Sequence, residues 1–258
     1  MMDRRIGAQL YTVAPYCQTE KDLYETLRKL HNIGYTRVQI SGVNTVDISA
    51  KTIKSMTNEF GMDIACTHSD YTDFTDSLGK IIEFHQELDC SVAGLSMMPK
   101  SFFFDIDLFK GFLKTIKPIA KTLKENGLSF AYHNHAYEFS KLGGKRIMDY
   151  FLEDMDPEDF GFIPDTFWIA YAGINPPDLI RKMGSRAKVI HFKDLMMIDW
   201  LKADYAEVME GNLDFDAIIS ACDDAGALCA VVEQDVCYRN PFDCLKTSYD
   251  NLKTKGFK

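Results

Sequence analysis

The feature that most constrains the fold is a regular alternation between short apolar runs and amphipathic helical stretches along the whole chain. Each run is β-rich and nearly continuous in apolar residues, as is typical of parallel strands buried on both faces. Between the runs lie stretches such as EKDLYETLRKLHNIG, where leucines recur at helical spacing and Gly34 provides a C-terminal stop. The eight runs are IGAQLYTV, TRVQIS, MDIACTH, SVAGLSM, LSFAYHNH, FGFIPDT, AKVIHFKD and LCAVVEQD.

The spacing of these runs predicts the architecture. Polar residues near their C-terminal ends are separated by intervals of 30, 29, 28, 37, 32, 26 and 42 residues, which corresponds to eight βα units. Eight such units in 258 residues predict an α/β fold, a (β/α)8 TIM barrel that forms a single domain over residues 1–258. A doubly wound open sheet is the main alternative, but no glycine-rich phosphate loop follows the first strand. The eight marker residues are Gln9, Gln39, His68, Ser96, His133, Asp165, His191 and Glu233.

Composition limits the class of partner and the compartment. The formal net charge of −9 argues against nucleic acid and anionic membranes as partners, because both require concentrated positive charge. The amino-terminal segment lacks the features of a signal peptide, and no apolar stretch approaches the roughly 18 residues of a membrane span. Seven cysteines without a CxxC pair indicate reduced thiols. We therefore expect a cytoplasmic protein.

Ionisable residues follow several apolar runs, at the strand ends where barrels of this kind carry their functional groups. Asp165 follows FGFIP, His191 and Lys193 follow KVI, and Glu233 follows AVV. A charge at the end of a buried strand is costly unless it is paired, ligated or solvated in a cleft, so convergence at one rim predicts a functional site. Asp165, His191 and Glu233 together offer the mixed oxygen and nitrogen ligation that suits Mn²⁺, Zn²⁺, Co²⁺ or Mg²⁺.

Each of these residues also has a structural explanation. Asp165 can cap the helix that follows it, and His191 can be an ordinary hydrogen-bonded residue. Lys193 can form a local ion pair with Asp194. Glu233 is the hardest to explain in this way, because a glutamate at the end of a Val-Val strand has few structural roles. The prediction of a metal site therefore rests on the residues lying together.

The chain resembles the xylose isomerase-like barrel superfamily, and within it the group usually called sugar phosphate isomerases/epimerases. The resemblance extends over essentially the whole length, and it rests on the order and spacing of motifs that are individually unspecific. These motifs are GAQLYTV, GYTRVQISG, PDTFW, AGINP, HFKD, EGNLDF and VVEQD.

The resemblance implies a set of metal ligands. Family members that bind metal hold one divalent ion with Glu, Asp, His and Glu from strands five to eight. Carried over by motif, these are Asp165 of PDTFW, His191 of HFKD and Glu233 of VVEQD. Many relatives read ENH at the fifth strand, whereas this chain reads HNH, so His133 stands at the position of the first glutamate.

The resemblance also implies an activity, namely metal-dependent isomerisation or epimerisation of a sugar or keto-sugar by proton abstraction next to its carbonyl. Glu233 and His133 are candidate catalytic residues, and Glu138 is a candidate for the carboxylate that His133 replaces. The replacement makes symmetric two-carboxylate epimerisation less favourable. A one-base lyase or dehydratase reaction on a keto-inositol or 3-keto-glycoside is the alternative.

Further residues are candidates for contact with a small-molecule sugar substrate. Lys193 is expected to polarise a carbonyl or to neutralise a carboxylate or phosphate, and Trp168 is expected to pack against an apolar sugar face. Packing at the rim is the alternative for each candidate, and the sequence leaves open whether the substrate carries a phosphate. The other candidates are Gln9, Tyr11, His68 and His135.

Two other functional classes remain to be weighed. An abasic-site endonuclease shares this barrel, but it needs three metals, more histidines than the six present here and a basic face for DNA. A non-catalytic sugar-binding barrel stays open because of His133. The long loop at 195–212 carries Met196, Met197 and Trp200, which we expect to cover a pocket or to meet a second subunit in a homo-oligomer.

Overall fold

The computed structural model describes residues 1–258 and confirms the predicted (β/α)8 barrel. Its strands are β1 Gly7–Gln9, β2 Arg37–Ile40, β3 Asp63–Ser69, β4 Val92–Leu95, β5 Ser129–His133, β6 Phe160–Ile163, β7 Val189–Phe192 and β8 Cys229–Val232. They form one parallel sheet in the order β6-β5-β4-β3-β2-β1-β8-β7. All eight predicted strands therefore exist, and each follows its neighbour around the barrel.

The barrel closes between β6 and β7 through a short, irregular junction. Isolated parallel bridges join Phe162 to Ala187 and Asp165 to His191. The Lys188 N–H donates to the Phe162 carbonyl at 2.9 Å, and the His191 N–H donates to the Pro164 carbonyl at 2.9 Å. This junction holds the carboxyl ends of β6 and β7 side by side, at the place where Asp165 and His191 were predicted to meet.

Helices surround the sheet, and their ends follow local sequence signals. The side chain of Thr19 caps the first helix by accepting from the Asp22 N–H, and Gly34 ends that helix with a φ of 125°. A side chain at Gly34 would collide with Tyr249 of the last helix. The helices are α1 Glu20–Ile33, α2 Ala50–Glu59, α3 Tyr71–Asp76, α4 Leu78–Leu88, α5 Ile106–Glu125, α6 Ile147–Asp154, α7 Thr166–Tyr171, α8 Pro176–Met183, α9 Phe215–Ala225 and α10 Pro241–Lys253.

Three segments differ in detail from a simple strand–helix repeat. The first apolar run is a strand only as far as Gln9, after which Leu10–Tyr16 forms a 3₁₀-helix. The long loop after β7 contains an antiparallel hairpin, Asp194–Asp199 paired with Lys202–Ala206. A smaller two-stranded ribbon joins Lys141–Leu142 to Lys145–Arg146.

The interior of the barrel explains where the functional groups emerge. A small apolar cluster fills the barrel itself, apart from the larger core between sheet and helices. Because side chains alternate along a strand, the residue two positions beyond an inward-facing apolar residue also points inward, one layer higher. Ala131 and Val189 of that cluster therefore lead to His133 and His191. In the same way Ile163 leads to Asp165, and Val231 leads to Glu233. The cluster comprises Ala65, Cys66, Val92, Ala131, Ile163, Val189, Cys229 and Val231.

Two expectations drawn from composition can be compared with the structure. All seven cysteines are free thiols, and only Cys237 is not buried. None of the helices is both long and apolar enough to pass through a membrane.

Candidate functional site

A polar cavity of about 480 Å³ opens at the carboxyl ends of the barrel strands. His133 and Glu233 lie at its floor, where both side chains are almost completely buried. Its walls come mainly from the loops after β2, β3 and β4, which contribute residues such as Ser41, Asp70 and Ser96. The position agrees with the general location of active sites in (β/α)8 barrels.

Four buried side chains converge at this floor from four successive strands. They are His133, Asp165, His191 and Glu233, and one ligand atom from each lies within 4.8 Å of the others. His191 Nδ1 lies 2.7 Å from Glu233 Oε2, and His133 Nε2 lies 3.4 Å from Asp165 Oδ2. The distance between His191 Nδ1 and Asp165 Oδ2 is 3.9 Å.

These distances fit a shared metal ion. Donor atoms bound about 2.0–2.2 Å from one ion stand roughly 3–4 Å apart, which is the range that most of these pairs occupy. Two imidazoles and two carboxylates form a donor set that suits Mn²⁺, Zn²⁺, Co²⁺ or Mg²⁺. The two buried carboxylates require compensating positive charge, which Lys193 supplies in part and a divalent ion would complete. The residues present therefore fit the ion that the sequence pattern predicts.

The outer nitrogen of each histidine is held by a neighbouring acceptor. His133 Nδ1 lies 3.0 Å from the Ser96 carbonyl, and His191 Nε2 lies 2.8 Å from Gln39 Oε1. When the outer nitrogens carry the protons and donate to these oxygens, the inner nitrogens present lone pairs to the cluster. This is the supporting arrangement commonly found around metal-binding histidines.

Gln39 contacts the cluster, and the sequence did not predict this contact. The sequence marks Gln39 only as the end of a strand. In the structure its side chain is fully buried and reaches across the barrel to His191. The signal lies in strand β2, RVQI, where every residue is buried and Gln39 brings an amide into the interior. A buried amide in a central strand requires a polar partner, which in this case is a candidate metal ligand.

Lys193 places a buried positive charge beside the cluster. Its Nζ lies 2.8 Å from Asp235 Oδ1, 3.3 Å from Glu233 Oε2 and 3.4 Å from Asp165 Oδ2. Burial alone would lower the pKa of Lys193, but these three carboxylates raise it above its ordinary value. The alternative in which Lys193 pairs with Asp194 is wrong, because Asp194 instead accepts hydrogen bonds from backbone N–H groups.

Glu233 is an ionised group with one free oxygen. Burial by itself would raise its pKa, but Lys193 and His191 hold that pKa well below the usual range. Both neighbours contact the same oxygen, Oε2, and Oε1 makes no hydrogen bond within the protein. Glu233 also lines the cavity.

Asp165 combines the two roles that the sequence left open. Its Oδ1 accepts the Trp168 N–H at 3.1 Å and caps α7, while Oδ2 faces the two histidines of the cluster. Asn134, the central residue of HNH, accepts the Asp165 N–H at 3.1 Å and ties the end of β5 to the end of β6. Helix capping and membership of the cluster are therefore compatible here.

Three of the candidate substrate-binding residues line the cavity. The ring centroid of His68 lies 4.7 Å from that of His133, and its buried Nε2 has no partner within the protein. Burial lowers the pKa of His135 to about 3, so this imidazole is neutral at pH 7. Tyr11 stands at the mouth with about half of its surface exposed.

Two other candidates lie just behind the cavity wall. Gln9 is fully buried, and its Oε1 accepts the Tyr11 N–H at 3.3 Å. The Trp168 ring is not part of the lining, but its centroid lies 5.3 Å from Lys193 Nζ and 5.5 Å from the His135 ring. The structure thus places Gln9 beneath a lining residue and Trp168 beside two of them.

Glu138 lies outside the cavity lining. It is fully buried, accepts the Tyr132 hydroxyl at 2.6 Å and accepts the His135 N–H at 2.8 Å. Burial raises its pKa to about 7, and these hydrogen bonds act in the opposite direction. In this position Glu138 orders the turn that carries His135 and does not replace the carboxylate missing at His133.

The apolar residues of the long loop do not cover the cavity either. Trp200 is 85% exposed and Met197 is 53% exposed on the hairpin, and neither belongs to the cavity lining. The expectation that these residues cover the pocket is therefore wrong. Their exposure leaves the expected contact with a second subunit untested.

Comparison with known proteins gives concordant matches. A family model described as xylose isomerase-like TIM barrel matches residues 27–235. An inosose dehydratase from Mesomycoplasma hyopneumoniae is 24% identical over 201 residues, which cover 70% of this chain. The match spans 66% of that dehydratase, just under two thirds of its length.

Solved structures share the fold over nearly the whole chain. A sugar phosphate isomerase/epimerase from Parabacteroides distasonis has a TM-score of 0.77 and 23% identity, covering 95% of this chain and 92% of that one. A xylose isomerase-like TIM barrel protein from Mycobacterium smegmatis, solved in complex with magnesium, has a TM-score of 0.77 and 12% identity and covers 98% of each chain. At these identities the likeness shows the fold alone.

Proposed function

Because the chain belongs to the xylose isomerase-like TIM barrel family, we propose that it is a metal-dependent enzyme acting on a sugar or keto-sugar. The reaction is isomerisation that begins with removal of a proton from the carbon next to the carbonyl. The observation that carries this proposal is the free Oε1 of the ionised Glu233, which lines the cavity beside the His133–Asp165–His191 cluster.

In this proposal His133, Asp165, His191 and Glu233 would hold one divalent ion. When bound, such an ion supplies Lewis-acid stabilisation of the negative charge that develops on a carbonyl oxygen. The donor set suits Mn²⁺, Zn²⁺, Co²⁺ or Mg²⁺. The magnesium-bound relative from Mycobacterium smegmatis supports a divalent ion in this fold, without identifying the ion used here.

Glu233 is the proposed general base. Its carboxylate is kept ionised by Lys193 and His191, and only Oε2 is engaged by them. Oε1 takes the proton from one carbon and returns it to the neighbouring carbon, while the hydroxyl proton passes from one substrate oxygen to the other. One base is therefore sufficient for the transfer between the carbons. Proton transfer by a positioned side chain contributes about 10²–10⁴-fold to the rate.

Lys193 and the cavity histidines have supporting roles. The Lys193 ammonium lies 3.3 Å from Glu233 Oε2 and stabilises negative charge at the reacting end of the substrate. His68 and His135 are the proposed contacts for substrate hydroxyls, since His135 is neutral and His68 has an unpartnered nitrogen. Tyr11 is proposed to hold the substrate at the mouth.

Elimination of water is the second candidate, and two observations favour it over epimerisation. His133 stands where a second carboxylate would be needed for proton exchange from both faces, and Glu138 lies outside the cavity lining. The curated relatives that the chain matches are named inosose dehydratases. In that reaction Glu233 again removes the proton and then donates it to the departing hydroxyl, which leaves as water, so one base is sufficient here too.

The test is exchange of carbon-bound protons with solvent. Metal-loaded protein is incubated in D₂O with a panel of keto-sugars, keto-inositols and 3-keto-glycosides, and deuterium at the carbon next to the carbonyl is measured by NMR. We expect exchange that a chelator abolishes and that added metal restores. A protein that retains no divalent ion and exchanges none of the panel is a non-catalytic barrel, and the proposal is then wrong.

A further inference from the structure

The cavity carries an unusual excess of negative charge for a protein related to sugar phosphate enzymes. Four carboxylates line it, and Lys193 is the only lysine or arginine among the lining residues. Asp165 adds a fifth carboxylate beneath the floor. Five carboxylates against one ammonium and the two charges of a divalent ion leave a net charge of −2. The lining carboxylates are Asp70, Asp73, Glu233 and Asp235.

The charge of the single ammonium is already balanced by carboxylates of the protein, so it adds no net positive charge that would attract an anionic substituent. Lys193 Nζ already contacts Asp165, Glu233 and Asp235 at 2.8–3.4 Å, and its side chain is 2% exposed. A phosphate in a protein is usually bound by arginine or lysine side chains or by free backbone N–H groups. The side chains of this cavity offer neither arginine nor a second lysine.

The backbone N–H groups of the long loop are occupied by the chain's own carboxylate. In (β/α)8 barrels the loops after strands seven and eight frequently form the phosphate site. Here Oδ1 and Oδ2 of Asp194 accept four N–H groups at 2.7–3.2 Å, so an internal carboxylate fills this position. The donors are Leu195, Met209, Gly211 and Leu213.

The close packing around Asp194 shows that this arrangement is built into the loop. A Cβ atom at Gly211 would lie 2.5 Å from Asp194 Oδ1 and 2.5 Å from the Leu195 carbonyl oxygen, so only glycine fits there. Burial raises the pKa of Asp194, while the backbone donors act to lower it. An external phosphate would have to displace this carboxylate from the loop.

At the helix N-termini of the rim, acidic side chains of the protein likewise occupy the backbone N–H groups. Asp165 accepts the Trp168 N–H at the start of α7. Asp70 and Asp73 form a capping box at the start of α3, and both line the cavity. These acidic caps satisfy the N–H groups that attract anions at helix starts.

The remaining lining groups are suited to hydroxyls. The imidazoles of His68 and His135 line the cavity, and the buried Nε2 of His68 has no hydrogen-bond partner within the protein. Carboxylates such as Asp70 and Asp73 accept hydrogen bonds from hydroxyl groups and repel anions. Uncharged hydroxyl-bearing lining residues complete the wall, namely Tyr11, Ser41, Thr45, Thr67, Ser69 and Ser96.

We propose that the cavity selects an uncharged, hydroxyl-rich substrate and rejects substrates that carry a phosphate or a carboxylate. This selection rests on the proposed function, because it names the substrate class of the same site. By this proposal the chain does not act on sugar phosphates, although a protein of similar structure is described as a sugar phosphate isomerase/epimerase.

The first experiment measures selection during turnover. Solvent deuterium exchange by the metal-loaded protein is compared for D-fructose, D-fructose 6-phosphate and 5-keto-D-gluconate. We expect kcat/KM for D-fructose to exceed that for the two anions by at least about tenfold, since like charges repel in the cavity. Faster exchange of either anion overturns the selection and leaves the proposed function intact.

The second experiment does not depend on turnover. Calorimetry measures binding of myo-inositol and of myo-inositol 1-phosphate to the metal-loaded protein, so the selection is tested even if no probe exchanges. We expect the neutral polyol to bind more tightly, and tighter binding of the phosphate contradicts the proposal. If none of the probes exchanges, the proposed function is wrong, but the binding comparison still tests the preference for uncharged ligands.

A matched pair of variants tests whether the carboxylates that line the cavity cause the preference for uncharged ligands. Asp73→Asn removes a charge from the cavity lining, and Asp76→Asn removes one from the far end of the same short helix, outside the lining. We expect Asp73→Asn to narrow the preference for myo-inositol over its phosphate by several-fold, and Asp76→Asn to leave it as in the wild type. If the wild type, Asp73→Asn and Asp76→Asn all prefer myo-inositol over its phosphate equally, the charge of Asp73 does not cause the selection.

Discussion

His191 Nδ1 lies 2.7 Å from Glu233 Oε2, although the two residues are 42 positions apart in the chain. The contact follows from the register of β7 and β8, in which His191 pairs with Val231 and the inward position beyond Val231 is Glu233. Glu233 therefore lies one inward layer above His191 on the neighbouring strand, and its carboxylate contacts the imidazole. The candidate site is a direct product of the sheet.

The first prediction concerns metal retention. His133→Ala removes one of the four candidate ligands, so we expect its affinity for Zn²⁺ or Mn²⁺ to fall by at least about tenfold. Competition with a chromogenic chelator measures this affinity. His31→Ala is the control, because His31 lies on the exposed side of α1. Equal metal affinity in wild type and His133→Ala would move the fourth ligand elsewhere.

The second prediction concerns Gln39. Gln39→Leu removes the acceptor 2.8 Å from His191 Nε2, which leaves this imidazole without its outer hydrogen bond. Metal affinity should fall by about 10–100-fold, the usual effect of losing such support. Gln39→Glu retains an acceptor and should recover most of the affinity. A Gln39→Leu protein that binds metal as tightly as the wild type would show that Gln39 has a packing role only.

The third prediction concerns Lys193 in the metal-free protein. Lys193→Met leaves three carboxylates without their buried cation, so we expect the free energy of unfolding to fall by about 3–5 kcal/mol. Added Zn²⁺ should restore more stability to this variant than to the wild type. Urea titrations with and without metal measure both effects, with Lys188→Met at the other end of the same strand as control. If Zn²⁺ stabilises the wild type, Lys193→Met and Lys188→Met to the same extent, Lys193 does not compensate the charge of the three carboxylates.

The fourth prediction concerns pH and Glu138. Its pKa is about 7 in the folded protein against an ordinary 4.5, so the fold favours the protonated carboxyl. The stability contributed by Glu138 is therefore complete below pH 4.5 and is lost as the pH rises through 7. Between pH 5 and pH 8 the wild type should lose about 2 kcal/mol relative to Glu138→Gln. Urea unfolding at several pH values measures this difference, and parallel pH profiles would contradict it.

The sequence predicted the barrel because its signal is repeated eight times. Each strand follows from a short apolar run, and the strand ends fall within two residues of the polar markers. The same reasoning brought Asp165, His191 and Glu233 together, since carboxyl ends of parallel strands share one edge. The spacing of the apolar runs and the alternation of side chains along each strand can be read from local sequence. They are sufficient to predict that Asp165, His191 and Glu233 lie together.

Contacts that cross the barrel or depend on loop geometry could not be predicted in the same way. The Gln39–His191 contact joins β2 to β7, which are separated in the sheet by β1 and β8. Glu138 follows His133 by only five residues, but its turn directs the carboxylate toward Tyr132. The four backbone donors around Asp194 come together only after the long loop has folded.

The most direct test of the account is solvent deuterium exchange by Glu233→Gln. With metal-loaded wild type and a keto-sugar that exchanges, we expect the substitution to lower the exchange rate at the carbon next to the carbonyl by at least about 10²-fold. Circular dichroism should show an unchanged fold, and Glu83→Gln on the exposed side of α4 should exchange like the wild type. Exchange that persists at the wild-type rate in Glu233→Gln would remove Glu233 from the reaction and contradict the account.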